Sequence, residues 1–147
     1  MTTTETPLSP YIGTRQPKIL AVDDEPLNLK LLENLLMSWH CEVRTAARGA
    51  EALAVAKSFE PDAILLDVRM PEQSGLEVCA ALQADPRTRR APVIFLTAAK
   101  TDEDMVQGFE NGARAYLTKP IDFMELATTL GEWLRARYAD DATTRAR

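Results

Sequence analysis

From Pro17 to Tyr138 short apolar runs alternate with longer amphipathic ones, and the period of the pattern changes at each boundary. Lys18-Ile-Leu-Ala-Val-Asp23 is an apolar run of strand length. Pro26 then opens a helical pattern with leucines at 27, 31, 32, 35 and 36 and Trp39. Cys41 to Ala46 predicts a second, more polar strand, and Ala50 to Phe59 a helix ended by Pro61. Asp62-Ala-Ile-Leu-Leu-Asp67 is apolar at both odd and even positions, which a strand needs when both faces are covered. After a loop with Pro71 and Gly75, Leu76 to Ala84 predicts a third helix, and Pro92 to Thr97 a fourth strand. A helix over Asp102 to Asn111 is followed by Gly112, a fifth strand over Ala113 to Thr118, and a last helix capped by Asp122 and reaching Arg137.

Five strand-helix repeats with short connections imply a parallel sheet with right-handed crossovers and helices on both faces. The polar second and fifth strands suit the edges and the apolar first, third and fourth the centre. The expected fold is therefore α/β, a flavodoxin-like (βα)5 doubly wound sheet of order 2-1-3-4-5. Its switch point lies between strands 1 and 3, and ligands in such sheets bind beyond the carboxyl ends of the strands.

The ends of the chain lack this pattern. Residues 1–16, rich in threonine and proline, and residues 139–147 predict flexible tails around one domain over 17–138. The 147 residues are enough for a core without disulfides or structural metal. Cys41 and Cys79 sit in different elements, which predicts buried, reduced thiols and a cytoplasmic protein. With 22 acidic against 17 basic residues, the net charge of -5 speaks against a nucleic-acid or anionic-membrane binder. Arg87, Arg89 and Arg90, the one basic cluster, lie between Pro86 and Pro92 and predict a solvated loop. No run reaches the length of a membrane helix, and no export signal opens the chain.

The chemistry lies at the strand ends. Strand 1 ends in Asp23-Asp24, strand 3 in Asp67 and strand 4 in Thr97, while strand 5 runs through Tyr116 to Lys119-Pro120. Each alone is an ordinary cap or turn. In the predicted order, however, strands 1 and 3 are neighbours about 4.8 Å apart, so three carboxylates share one crevice. At about 4 Å and an effective dielectric near 20, each like-charge pair costs roughly 4 kcal/mol before screening. Folding does not require that cost, so a ligand is expected. Mg²⁺ prefers such oxygen ligands and shares phosphate oxygens. With the Lys119 ammonium and the Thr97 hydroxyl, it would stabilise a phosphoryl group moving onto a carboxylate.

These residues carry a resemblance. Asp23-Asp24-Glu25-Pro26, Leu66-Asp67-Val68-Arg69-Met70-Pro71, Gly75, Thr97-Ala98, Gly112-Ala113 and Tyr116-Leu117-Thr118-Lys119-Pro120 resemble the receiver domains of bacterial two-component response regulators. The resemblance implies a signalling protein and not an enzyme, whose Asp67 accepts a phosphoryl group from a histidine kinase or phosphotransfer protein. It implies Mg²⁺ held by Asp24, Asp67 and the backbone carbonyl of Arg69, with Asp23 acting through water. Lys119 and Thr97 would bind phosphoryl oxygens, Thr97 and Tyr116 would switch together, and the Lys119-Pro120 peptide would be cis. The altered surface, formed by the helix over 102–111, the fifth strand and the last helix, would engage a downstream protein target, with the chain a monomer or a phosphorylation-dependent dimer. Arg69 and Ala99 flank the route of a hydrolytic water, which predicts slow loss of the phosphoryl group. Val68 stands where an aromatic is common, so Trp39 and Trp133 are expected to report poorly on metal.

The nine residues after Tyr138 leave no room for an output domain, so a stand-alone receiver is expected, or a fragment of a longer protein. A haloacid-dehalogenase-type phosphohydrolase would instead use the strand-1 acids, Asp23-Asp24-Glu25 here, and would need a cap domain. A third reading is a receiver-shaped interaction module that works unphosphorylated. His40 and Met70 are read as a surface or capping residue and a packing residue.

Overall fold

The computed structural model describes residues 5–70, 72–98 and 109–145. Five parallel strands, β1 (Lys18–Val22), β2 (Glu42–Ala46), β3 (Ala63–Asp67), β4 (Val93–Thr97) and β5 (Ala113–Thr118), form one sheet of order β2-β1-β3-β4-β5. The helices are α1 (Ser9–Ile12), α2 (Pro26–Ser38), α3 (Gly49–Phe59), α4 (Gly75–Ala84) and α5 (Phe123–Arg145). The helix expected over 102–111 lies mostly outside the described residues.

Side-chain alternation along the central strands divides the core into two layers. Ile19, Ala21, Leu65, Ile94 and Leu96 point to the side covered by α1, α2 and α5. Leu20, Val22, Ile64, Leu66, Val93 and Phe95 point to the side covered by α3 and α4. All of β3 and β4 is buried, whereas edge strand β2 exposes alternate residues. Cys41 and Cys79 are free and buried, and burial pushes their thiols up to about 12 and about 11, which leaves them unreactive.

Helix starts are set locally. The Ser74 hydroxyl accepts from Glu77 N at 3.3 Å, and Asp122 Oδ1 accepts from Met124 N and Glu125 N at 2.9 and 3.0 Å. In α2 the expected apolar stripe splits. Leu32 and Leu36 are buried and Leu29 and Leu35 pack at the core margin, but Leu27 and Leu31 are 74% and 67% exposed.

Among the described residues, parts of both segments read as tails are helical. Within 1–16, Leu8 is fully buried and Ile12 nearly so, and Tyr11 packs on Gly131 of α5, where an added Cβ would lie 2.3 Å from its ring. Too few apolar residues precede Pro17 to show a period, yet two suffice to dock a single helical turn. At the other end α5 runs past Arg137 to Arg145, because Asp141, one turn on, pairs with Arg137 and with Arg90 at 2.7 Å. Among the described residues no helix is long and apolar enough to cross a membrane.

Candidate functional site

Four strands deliver side chains to the carboxyl edge of the sheet. Asp23 follows β1, Asp67 and Thr97 are the last residues of β3 and β4, and Lys119 follows β5. Asp23, Asp67 and Thr97 are buried, while Asp24 faces solvent. One carboxylate oxygen from each of Asp23, Asp24 and Asp67 falls within 4.8 Å of the others, so the three acids do share one crevice.

The backbone holds two of these carboxylates in place. Asp23 Oδ1 accepts from Glu25 N at 2.9 Å, and Asp67 Oδ1 accepts from Arg69 N at 3.1 Å. Each is an Asx turn, and it leaves the other oxygen of the carboxylate for the crevice. There Lys119 Nζ donates to Asp23 Oδ2 at 2.9 Å and stands 3.5 Å from Asp67 Oδ2. Lys119 N donates to Thr97 O at 2.8 Å, which fixes the lysine relative to β4, and the Lys119-Pro120 peptide is cis.

The electrostatics of the crevice are unbalanced. Burial raises the Asp67 carboxyl to about 6, against the Arg69 amide and the Lys119 charge, which favour the anion; Asp23 and Asp24 repel it further. For Lys119 burial opposes the charge, but Asp23 and Asp67 outweigh it and hold the ammonium above its ordinary value. Lys119 thus pairs with two of the three carboxylates, Asp23 and Asp67. Three acids with closely spaced oxygens, one of them open to water, are a donor set suited to a hard divalent cation.

Two supports escaped the sequence reading. Lys119 and Asp23 lie 96 residues apart, and nothing local signals their pairing. Gly75 had a signal, its place in the loop after Asp67, but not its reason: a Cβ there would lie 2.2 Å from Asp67 O, so only glycine lets α4 start against the end of β3. The Tyr116 ring is buried, 5.2 Å from Phe95 and 5.5 Å from Phe109 between centroids. Ala99 and most of the helix over 102–111 lie outside the described residues. Beside the crevice a cavity of about 260 Å³ is lined by Asp23, Asn28, Leu31, Lys119, Pro120 and Phe123, among others. Leu27, Leu31, Phe123 and Met124 are exposed on the helix ends around it.

The profile of the response regulator receiver domain matches residues 19–131. Among curated proteins the chain is 50% identical over 124 residues to the response regulator PleD of Caulobacter vibrioides, which takes in 84% of this chain and 27% of PleD. It therefore spans about a quarter of the length of that relative. It is 37% identical over 118 residues to the polar-differentiation response regulator DivK of Brucella anthropi, covering 79% of this chain and 94% of DivK. Among solved structures the chemotaxis protein CheY4 of Vibrio cholerae superposes with a TM-score of 0.76 at 34% identity, over 79% of this chain and 97% of CheY4. The receiver domain of the sensor histidine kinase PA1611 from Pseudomonas aeruginosa, solved with magnesium coordinated in its active-site cleft, gives 0.75 at 33% identity, over 82% of this chain and 98% of that one.

Proposed function

The chain belongs to the response regulator receiver domain family, and on that premise we propose that it accepts a phosphoryl group on Asp67 from a phosphohistidine of a histidine kinase or phosphotransfer protein and passes the change on to a protein target. The observation that carries this reading is the meeting of Asp23, Asp24 and Asp67 with Lys119 at the carboxyl edge.

An Asp67 carboxylate oxygen attacks phosphorus in line, the new O–P bond forms as the P–N bond of the donor breaks, and the imidazole leaves. Asp24, Asp67 and the Arg69 carbonyl would hold Mg²⁺, with Asp23 acting through water. Once bound, the ion neutralises charge on the transferring group. Lys119, already beside Asp67, turns part of its charge to a phosphoryl oxygen, and the Thr97 hydroxyl donates to another. Any shift of Thr97 is felt by Tyr116 on the neighbouring strand, in register with Phe95. The surface changed is that of the segment over 102–111, β5 and α5, through which a target, or a second copy of the chain, would bind. The PA1611 receiver and its magnesium support the ion assignment. The exposed Leu27, Leu31, Phe123 and Met124 suit an apolar surface on the donor that brings its phosphohistidine over the crevice. Such an exchange places the protein in the cytoplasm.

The test is incubation with Mg²⁺ and acetyl phosphate followed by mass spectrometry. The expected product is a phosphoryl adduct on Asp67 that requires metal. An adduct elsewhere, or none, would overturn the assignment.

A further inference from the structure

At the opposite edge of the sheet from Asp67, where Lys18 opens β1 and Asp62 stands just before β3, a cavity of about 450 Å³ lies between the α4–β4 loop and α5. Its charged wall is Lys18, Arg87, Arg90 and Arg137 against Glu60 and Asp62. The wall carboxylate of Asp62 is engaged, since its Oδ2 accepts from Lys18 N at 2.8 Å and from the Tyr138 hydroxyl at 3.1 Å. Asp85 and Asp141 do not line the cavity but fix the arginines that do. Asp85 holds Arg87 at 3.1 Å, and Asp141 holds both Arg90 and Arg137.

One carboxylate shared by two guanidiniums leaves N–H donors over. Arg137 Nε is, among the described residues, a buried side-chain polar atom without any hydrogen-bond partner. Lys18 Nζ donates to a backbone carbonyl, that of Phe59, at 3.3 Å. Arginines held by outside carboxylates are already ordered, so gripping an anion costs them less entropy. The volume falls within the range of small-ligand sites.

We propose that this cavity binds a small phosphate-bearing anion, with Arg90, Arg137 and Lys18 as its donors. Phosphate suits the wall better than a single carboxylate, because its oxygens can accept from several guanidiniums at once. Bound there, the anion joins the α4–β4 loop to α5 without touching the crevice at Asp67.

The test is titration of the full chain, followed by amide NMR in magnesium-free buffer, with inorganic pyrophosphate, with GDP and with a tetraglutamate peptide. Pyrophosphate or GDP is expected to produce saturable shifts centred on Lys18, Asp62, Arg90 and Arg137. Preference for GDP identifies an esterified ligand and preference for pyrophosphate an inorganic one. Arg137→Gln and Arg90→Gln should each weaken binding by about tenfold or more. Because Arg90 also holds Asp141 of α5, thermal melts of both variants separate lost binding from a loosened helix end. The proposal is overturned if no saturable shift occurs, if shifts centre on Thr97 and Lys119, if both variants bind as tightly as the parent, or if tetraglutamate binds more tightly than pyrophosphate.

Discussion

Lys119 Nζ stands 2.9 Å from Asp23 Oδ2 across 96 residues of chain, and this pair is the fixed point of the crevice. Replacing the lysine leaves buried Asp23 and Asp67 without their shared countercharge. Lys119→Met should lower stability by about 2 kcal/mol or more. It should also cut phosphoryl acceptance by about tenfold or more while Mg²⁺ still binds. Thermal melts, magnesium titration and mass spectrometry of the Asp67 adduct check the three parts.

The Asp67 carboxyl sets a pH dependence. It titrates near 6 when folded, against 3.8 as its ordinary value. Below 3.8 both states are protonated and the group contributes nothing. Between the two values the folded state alone holds the proton, so stability falls as pH rises, and above 6 the penalty is complete, at most about 3 kcal/mol. Urea unfolding without metal should show this decline between about pH 4 and about pH 6, and Asp67→Asn should remove it. Acceptance of phosphoryl should fall in acid as the carboxyl is neutralised, at a pH below about 6 because bound Mg²⁺ favours the carboxylate.

Gly75→Ala tests the close approach of α4 to the acceptor strand. Its Cβ would meet Asp67 O at 2.2 Å and Val68 Cα at 2.8 Å, both backbone atoms that cannot turn aside. A loss of about 2 kcal/mol or more is expected in urea unfolding. Magnesium affinity should fall as well, because the displaced atoms carry the Asp67 carboxylate.

Leu8→Ala tests the docked amino-terminal turn. A fully buried leucine should cost about 2–4 kcal/mol when truncated, whereas a mobile tail would cost nothing. A Gly131→Leu variant, which pushes Tyr11 off α5, should melt at a similarly reduced temperature.

Leu31→Ser and Phe123→Ser change side chains that are 67% and 57% exposed, so stability should move by no more than about 0.5 kcal/mol. Labelling by acetyl phosphate should be unchanged, while transfer from a phosphorylated histidine-containing protein slows by about tenfold. Transfer from the protein donor at the parent's rate in both variants would remove the docking role assigned to this face.

The sheet order was legible because the apolar runs at β3 and β4 could only be central, and each short connection left one handedness. The convergence of Asp23, Asp24 and Asp67 followed from that order alone. What was hidden depends on contacts between distant segments. Leu8, Tyr11 and Ile12 keep helical spacing for one turn only, too short to stand out, and their burial is decided by the groove beside Gly131. The continuation of α5 rests on Asp141 meeting Arg90 from a separate loop. Leu27 and Leu31 obey helical spacing as well as Leu32 and Leu36 do, and only the position of the sheet beneath α2 separates the exposed pair from the buried one.

Because β1, β3 and β5 each contribute a charged group to the crevice, no contiguous stretch of chain contains it. During synthesis Asp67 leaves the ribosome long before Lys119, so a nascent polypeptide has the buried carboxylate but not the ammonium beside it. The balance of charge in the crevice thus arises only once translation has passed β5.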